Sequence, residues 1–476
     1  MKKKTTFIAL IGLILVLLTG VFLVVFLSAT AKKSEETAVT EKDVTMFSAY
    51  TDVDVYKDVP AMVTKSGKFE DAKDYGNKNY VININGTTVE EYKAYLNTLE
   101  KEGFKKHSDN GEEAMEGYAY EAAYTKDHIT LVVSHAIKQE HTYIAASYDL
   151  PLSDHLIYNE EDAKGIDASA KTKVHMLQLN ENGNSFVIQL KNGHFLIHDG
   201  GTKNDAPYLL DYLEELTPGD EKPVVEAWFI SHAHGDHTGA MIEIAKDMTQ
   251  VNRIYVEGFY FTEPSAEVLS LLTMGDGTEN NWYTTRSYKV FKNQEGKAPN
   301  MYRMQLGQRY YFCDLKIDIT LTLEQFPVES YYSNDFNDTS TWMMHHIEGQ
   351  RFLHAGDTHH TGMRIATYMF DESYFDLDVM AVFHHGINVW DYWTDFCTLK
   401  TFLYTSFRTA SIWEPSRAEL ARVEENEHLR QSCEEYLSHG EGTVVLTFPY
   451  KVGSAEIMES SDWRYNNGKP IRDVWK

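Results

Sequence analysis

ISHAHGDHTGA, residues 230–240, sets three histidines and an aspartate within positions 232–237, directly after the apolar run VVEAWF. On an extended segment His232 and His234, two apart, project to the same side and can share one metal ion. Asp236 and His237 continue round the turn and can hold a second ion, with Gly235 and Gly239 letting the backbone pass closely. A polar loop in which Asp236 merely caps the next helix is the structural alternative, and it leaves three clustered imidazoles unexplained.

Around this stretch, VHMLQLN, SFVIQL and HFLIHDGG read as strands, with Asn192-Gly193 as a two-residue hairpin signal between the second and third. APYLLDYLEELT reads as a helix, VVEAWFIS as a buried strand and AMIEIAKDM as a further helix. The histidines therefore fall on a loop at a strand end, where a rigid scaffold presents chemical groups.

These residues resemble the metallo-β-lactamase superfamily, whose HxHxDH signature stands here as His232, His234, Asp236 and His237. HFLIHDGG matches the upstream strand ending in an aspartate, here Asp199, which the resemblance implies supports the metal loop without binding the ion. GQRFLHAGDT matches the strand that delivers a bridging aspartate, here Asp357, and AVFHHG the final histidine motif, here His384 and His385. Within the superfamily the likeness is to the extracytoplasmic hydrolase domain of ComEC-type competence proteins, carried by VHMLQLNENGNS, Asn337-Asp338-Thr339-Ser340 and His384-His385-Gly386 over about residues 172–450. ENGN stands where that group has QGD, and Ile387 where it has a serine after HHG.

The resemblance implies an α/β fold, an αββα four-layer sandwich over 171–476; outside the resemblance, the sequence itself reads as a small α+β domain and an N-terminal membrane segment preceding it. The resemblance also implies two divalent metal ions, Zn2+ in the first instance, a choice that imidazole and carboxylate ligands suit. His232 and His234 are assigned to the first ion, Asp236 and His237 to the second, and Asp357 to both. His385 is favoured over His384 to complete the second. Asp236 and Asp357 are the expected catalytic carboxylates, since paired ions lower the pKa of a bound water from ~15.7 towards ~7 and supply hydroxide at neutral pH.

No histidine clearly fills the third-histidine slot of the first ion; Asn337 or Asp338 occupies that region. His345 and His346, in TWMMHHIEG, are alternatives that strand alternation sends to opposite faces. His359 and His360 follow the bridging aspartate and read as surface or supporting groups.

Outward from the site, Lys2, Lys3 and Lys4 precede 21 uncharged residues, 7–27, at ~1.5 Å each long enough for a hydrocarbon core of ~30 Å. Residues 1–31 read as an uncleaved anchor with the body extracytoplasmic, the alternative being a signal peptide and a secreted chain. Residues 32–48 form a polar linker, and 49–165 a small α+β domain of unassigned role, with a capped helix beginning at Thr87 or Thr88 and a strand meander after it. His128, His135 and His141 lie there without paired ligands. Cys313, Cys397 and Cys433 form no CxxC pair and read as core thiols.

Acidic residues outnumber basic ones 71 to 44, a net charge of -27, which opposes a grip on nucleic acid. The expected function is therefore a membrane-anchored, extracytoplasmic metal-dependent phosphodiesterase acting on a nucleotide or cell-wall phosphodiester, with nucleic acid disfavoured. Tyr283, Arg286 and Lys289, in an aromatic-rich stretch between metal motifs, could meet a phosphate. The alternatives are an ester, lactone or amide hydrolase of the same fold, and a cell-surface binding protein without turnover.

Overall fold

Strands apolar on both faces need cover on both sides, so the sequence pattern dictates layers. The computed structural model describes residues 58–74, 79–148, 150–164, 166–167, 169–179, 183–262, 287–325, 336–386, 391–405 and 431–458. The expected membrane segment and linker lie outside them, and no helix among the described residues is long and apolar enough to cross a membrane.

The first sheet comprises β1 (Lys68–Asp74), β2 (Asn79–Asn85), β3 (Lys105–Asp109), β4 (Ala119–Lys126), β5 (Ile129–Ala136) and β6 (His141–Tyr148), in the antiparallel order β1-β2-β6-β5-β4-β3. Helix α1 (Val89–Lys101) covers one face. It starts at a capping box in which Thr88 Oγ1 accepts from Glu91 N at 3.2 Å and Thr88 N donates to Glu91 Oε2 at 3.1 Å. Tyr92, Tyr95 and Leu99 pack on Ile82, Tyr124, Leu131 and Ile144. The opposite face offers the small residues Ala119, Ala123, Ala136 and Ala145, which join Leu306 and the core outside the third sheet. Ser134 Oγ to Leu306 O at 2.6 Å and Met115 N to Asp318 Oδ2 at 3.3 Å tie the two parts together.

The second sheet contains β7 (Lys173–Met176), β8 (Ser185–Gln189), β9 (Phe195–Asp199), β10 (Val224–Phe229), β11 (Tyr255–Val256), β12 (Gly258–Phe261), β13 (Asn300–Arg303), β21 (Thr443–Thr447) and β22 (Glu456–Met458). Its order is β13-β12-β10-β9-β8-β7-β21-β22, with β11 beside β10. The third contains β14 (Arg309–Phe312), β15 (Leu315–Leu321), β16 (Trp342–Ile347), β17 (Gln350–His354), β18 (Asp376–Ala381), β19 (Thr398–Tyr404) and β20 (Glu435–Ser438), in sequence order. Strands β9, β10, β12 and β13 run parallel, as do β17 to β20.

Alternate residues of these strands meet between the two sheets: Phe186, Ile188, Leu196 and Phe229 face Ile317, Met343, Phe352 and Leu403. Each such side chain contributes roughly 1.5–3 kcal/mol relative to exposure. The outward residues Val187, Ile197 and Trp228 are covered by α2 (Ala206–Leu216) and α3 (Gly235–Lys246). Trp342, Met344 and Phe402 are covered by α4 (His360–Met369) and α5 (Asp391–Phe396). The result is a mixed α/β, four-layer αββα arrangement.

Two local expectations are corrected. The β8–β9 turn is not a two-residue hairpin: Leu190 N bonds His194 O at 2.9 Å, leaving a three-residue loop with Gly193 at φ 86°. The helix after the histidine motif also begins earlier, at Gly235, because the first turn needs no intrahelical N–H partner and Thr238 N already reaches His234 O at 2.9 Å.

Candidate metal centre

The motif residues come together because their loops leave the C-terminal ends of parallel strands, where open α/β sheets present ligands. β10 leads into His232, His234, Asp236 and His237; β17 leads into Asp357; β18 leads into His384 and His385. His232, His237, Asp357 and His385 are buried, while His234 and Asp236 are half-buried.

Two groups of ligand atoms result. Single atoms of Asp236, His237, Asp357 and His385 lie within 4.8 Å of one another, and so do atoms of His232, His234 and Asp357. Asp357 Oδ2 is common ground, 3.1 Å from His237 Nε2, 3.2 Å from His385 Nε2 and 3.9 Å from His232 Nε2. His385 Nε2 is also 3.1 Å from Asp236 Oδ2, and His232 Nε2 is 3.0 Å from His234 Nδ1.

Supporting groups set which ring nitrogen faces inward. Asp199, in left-handed backbone at φ 59°, accepts from Ser231 N and Ser231 Oγ, each at 2.8 Å, and from His237 Nδ1 at 2.8 Å. Because His237 donates through Nδ1, its Nε2 is the ring nitrogen that faces Asp357. Likewise His385 Nδ1 donates to Thr405 O at 3.1 Å, and His232 Nδ1 lies 3.1 Å from Ser231 Oγ. Ser340 Oγ accepts from Asp357 N at 3.1 Å. Gly356, at φ 54°, allows this approach, since a Cβ there would meet both Ser231 Oγ and Ser340 Oγ at 2.8 Å.

Electrostatics match a cation. Burial pushes His237 down, but Asp357, Asp199 and Asp236 outweigh it and raise the imidazole well above its usual range. His385 is opposed by burial too, yet Asp357 and Asp236 push it up to about 10. Burial raises the Asp236 and Asp357 carboxyls, and the histidines, His237 foremost, overcome that and hold both below the usual range. His232 is held low by burial and by neighbouring His237. His237 Nε2 and Asp357 Oδ1 are buried with no hydrogen-bond partner among the described residues. Such orphans are costly, and cations at the two groups would satisfy them.

Other sequence candidates go elsewhere. His384 lies outside both groups. His345 is buried against His198, their Nε2 atoms 2.9 Å apart, and His346 pairs with Asp318 at 3.0 Å, so neither reaches the centre. His359 contacts His384, and the backbone carbonyl of His360 accepts from Tyr392 OH. Asn337 approaches His359 and His384, and Asp338 is buried, so neither asparagine nor aspartate belongs to the two groups. Lys289 lies over the Tyr288 ring; Tyr283 and Arg286 fall outside the described residues. His135 is buried beside Thr142, and His128 and His141 stack on Tyr148 and Tyr143. All three cysteines are free thiols, two of them buried.

Several supporting residues carried no sequence signal. Asn184 is one: its backbone N donates to Asp236 O at 3.1 Å and its carbonyl accepts from Gly200 N and Gly201 N. Thr405 is another, twenty residues from the histidine it orients. Ser231 alone could have been suspected, from its place beside His232.

A carboxylate shared by two imidazole-rich groups at the strand ends of an αββα sandwich defines a class, the metal-dependent hydrolase-type centre. Residues 180–390 match the family model of the Metallo-beta-lactamase superfamily, and this part of the chain belongs to that superfamily. Among solved structures, the chain is similar to Zn2+-bound PqqB from Methylobacterium extorquens, at 10% identity over 42% of this chain and 58% of that one, TM-score 0.26. It is similar also to a Cronobacter sakazakii metallo-beta-lactamase with a HARLDQ motif, at 13% identity over 54% and 87%, TM-score 0.28. Yeast PDE1 aligns at 8% identity over 56% and 97%, TM-score 0.34. Comparison with curated proteins gave no match.

Proposed function

We propose that this chain is a phosphodiesterase that uses two divalent cations, Zn2+ in the first instance, held by His232, His234 and Asp357 on one side and by Asp236, His237, Asp357 and His385 on the other. The observation that carries the reading is the single Asp357 oxygen approached by histidines of both groups. When bound, such a cation pair activates water and stabilises charge on the oxygens of an in-line displacement. The chain's part is to fix that geometry: Asp199 and Thr405 lock the His237 and His385 rings, and burial excludes bulk water from Asp357.

The net charge of -27 favours a small or wall-linked phosphodiester over long nucleic acid. The likeness to the ComEC-type hydrolase domain supports a phosphodiester, and the lysines before the apolar run at 7–27 support a membrane-anchored chain with its centre outside the cytoplasm. A panel of bis(p-nitrophenyl) phosphate, p-nitrophenyl phosphocholine, single-stranded DNA, a lactone and a β-lactam tests the reading. Turnover of the small phosphodiesters, abolished by Asp357→Ala, is expected. Lactone or β-lactam turnover lost in the same variant, without phosphodiester turnover, would overturn it.

A further inference from the structure

Adjacent residues of an extended strand point to opposite sides, so a His-His pair should place only one ring at the centre. Here both reach the same atom. His384 and His385 take left-handed backbone at φ 44° and 52°, followed by Gly386 at φ 84°, and Asp357 Oδ2 lies 3.2 Å from His385 Nε2 and 3.9 Å from His384 Nε2. Left-handed backbone is disfavoured for a non-glycine residue, and such strain gathers at functional sites.

The two rings are held differently. His385 is 3% exposed and belongs to a ligand group, whereas His384 is 19% exposed and belongs to neither. His384 is instead gripped from the third sheet: its Nδ1 is 2.8 Å from His359 Nε2, and its Nε2 is 3.4 Å from Asn337 Nδ2. His359 caps α4 and Asn337 sits in the turn Phe336–Thr339, so the ring is contacted from two loops.

We propose that His384 is a substrate-contacting residue rather than a metal ligand, and that with Asn337 it takes an anionic oxygen of the substrate beside Asp357. Imidazole N–H and amide N–H are both donors, and together they suit a phosphoryl oxygen. This rests on the phosphodiesterase reading for the identity of the anion. The long contacts from Asn337, 3.3 and 3.4 Å, are ones a charged oxygen would readily replace.

The test uses the full-length, metal-loaded chain with inorganic phosphate as probe, measured by calorimetry, beside metal content and the KM for bis(p-nitrophenyl) phosphate. His384→Ala should keep the wild-type metal content and weaken phosphate binding about 10- to 100-fold, as expected for one charge-assisted hydrogen bond. KM should rise, Asn337→Ala should act in the same direction less strongly, and His384→Gln should recover part of the binding. Loss of metal in both His384→Ala and His384→Gln, unchanged phosphate affinity, or no phosphate binding by the wild type would each overturn the proposal. Phosphate binding weakened by His384→Ala in a chain that cleaves no phosphodiester would support the contact and overturn only the phosphodiesterase reading.

Discussion

Two histidine clusters lie in the same sandwich and behave in opposite ways. At the strand ends, His237 and His385 meet Asp199, Asp236 and Asp357, and their imidazoles are raised. Inside, His198 on β9, His345 on β16 and His354 on β17 are fully buried, and burial holds them low, reinforced at His198 by His345 and His354 and at His345 by His354, while Asp199 partly offsets it at His354: His345 at about 3, His354 at about 4, His198 well below its usual value. His345 Nδ1 donates to Phe352 O at 3.1 Å, so His198 Nε2 donates to His345 Nε2, and the ring of His198 stacks on Phe229 at 4.9 Å. Both clusters are imidazole-rich. Three carboxylates meet the rings at the strand ends, whereas the interior trio is approached only by Asp199, 3.8 Å from His354, and that difference rather than histidine density sets the candidate metal centre apart.

The largest expected effect is at the shared carboxylate. Asp357→Ala should reduce turnover by more than the ~100-fold that loss of a supporting partner can cost, read as kcat/KM on whichever substrate of the panel is active. Asp199→Ala touches no proposed ligand atom directly but frees His237 Nδ1. It should weaken metal affinity about 10- to 100-fold, measured by competition with a chromophoric chelator.

A third expectation concerns protons. In the metal-free chain His237 and His385 stay protonated at neutral pH because their values lie above it, so cation binding must expel those protons. Calorimetric titration of Zn2+ in two buffers of different ionisation enthalpy should show net proton release at neutral pH that declines as pH rises towards about 10, where His385 loses its proton unaided, and His385→Ala should diminish it.

The smallest effect belongs to the interior cluster. Its folded-state values lie below 6.5, so as pH falls the unfolded chain takes up protons first. The associated stability is present above about pH 6.5 and is lost as pH falls towards 4. His345→Phe should leave metal content unchanged and make the acid loss shallower, by about 1.4 kcal/mol per pH unit, in denaturant titrations. Loss of metal in that variant would break the distinction between the clusters.

Much of this was legible in the chain because short-range spacing carries it. HAHGDH, with two histidines on one extended segment and an Asp-His pair on the next turn, already separates the residues that the structure places in different groups. The strands read correctly where apolar runs ended near Gly or Asn, as for β8 and β9, or ran into the histidine motif, as for β10. The layers beyond single strands depended on which face met which sheet, and alternation alone does not say that.

What could not be read lay in long-range contacts and unusual backbone. Nothing in HHG announces left-handed conformations at two histidines, so the pair's two orientations had no sequence signal. Thr405, Asn184 and Ser340 act through contacts to residues 16 or more positions away. The interior trio likewise joins β9 to β16 and β17, and its histidines look no different in sequence from those that face carboxylates.

The central claim is that Asp357 is shared by two cation sites. Metal analysis of the purified full-length chain after exhaustive dialysis tests it directly, with Asp357→Ala alongside. The account predicts two equivalents per wild-type chain and at most one in the variant; fewer than one in the wild type, or two retained in Asp357→Ala, would contradict it.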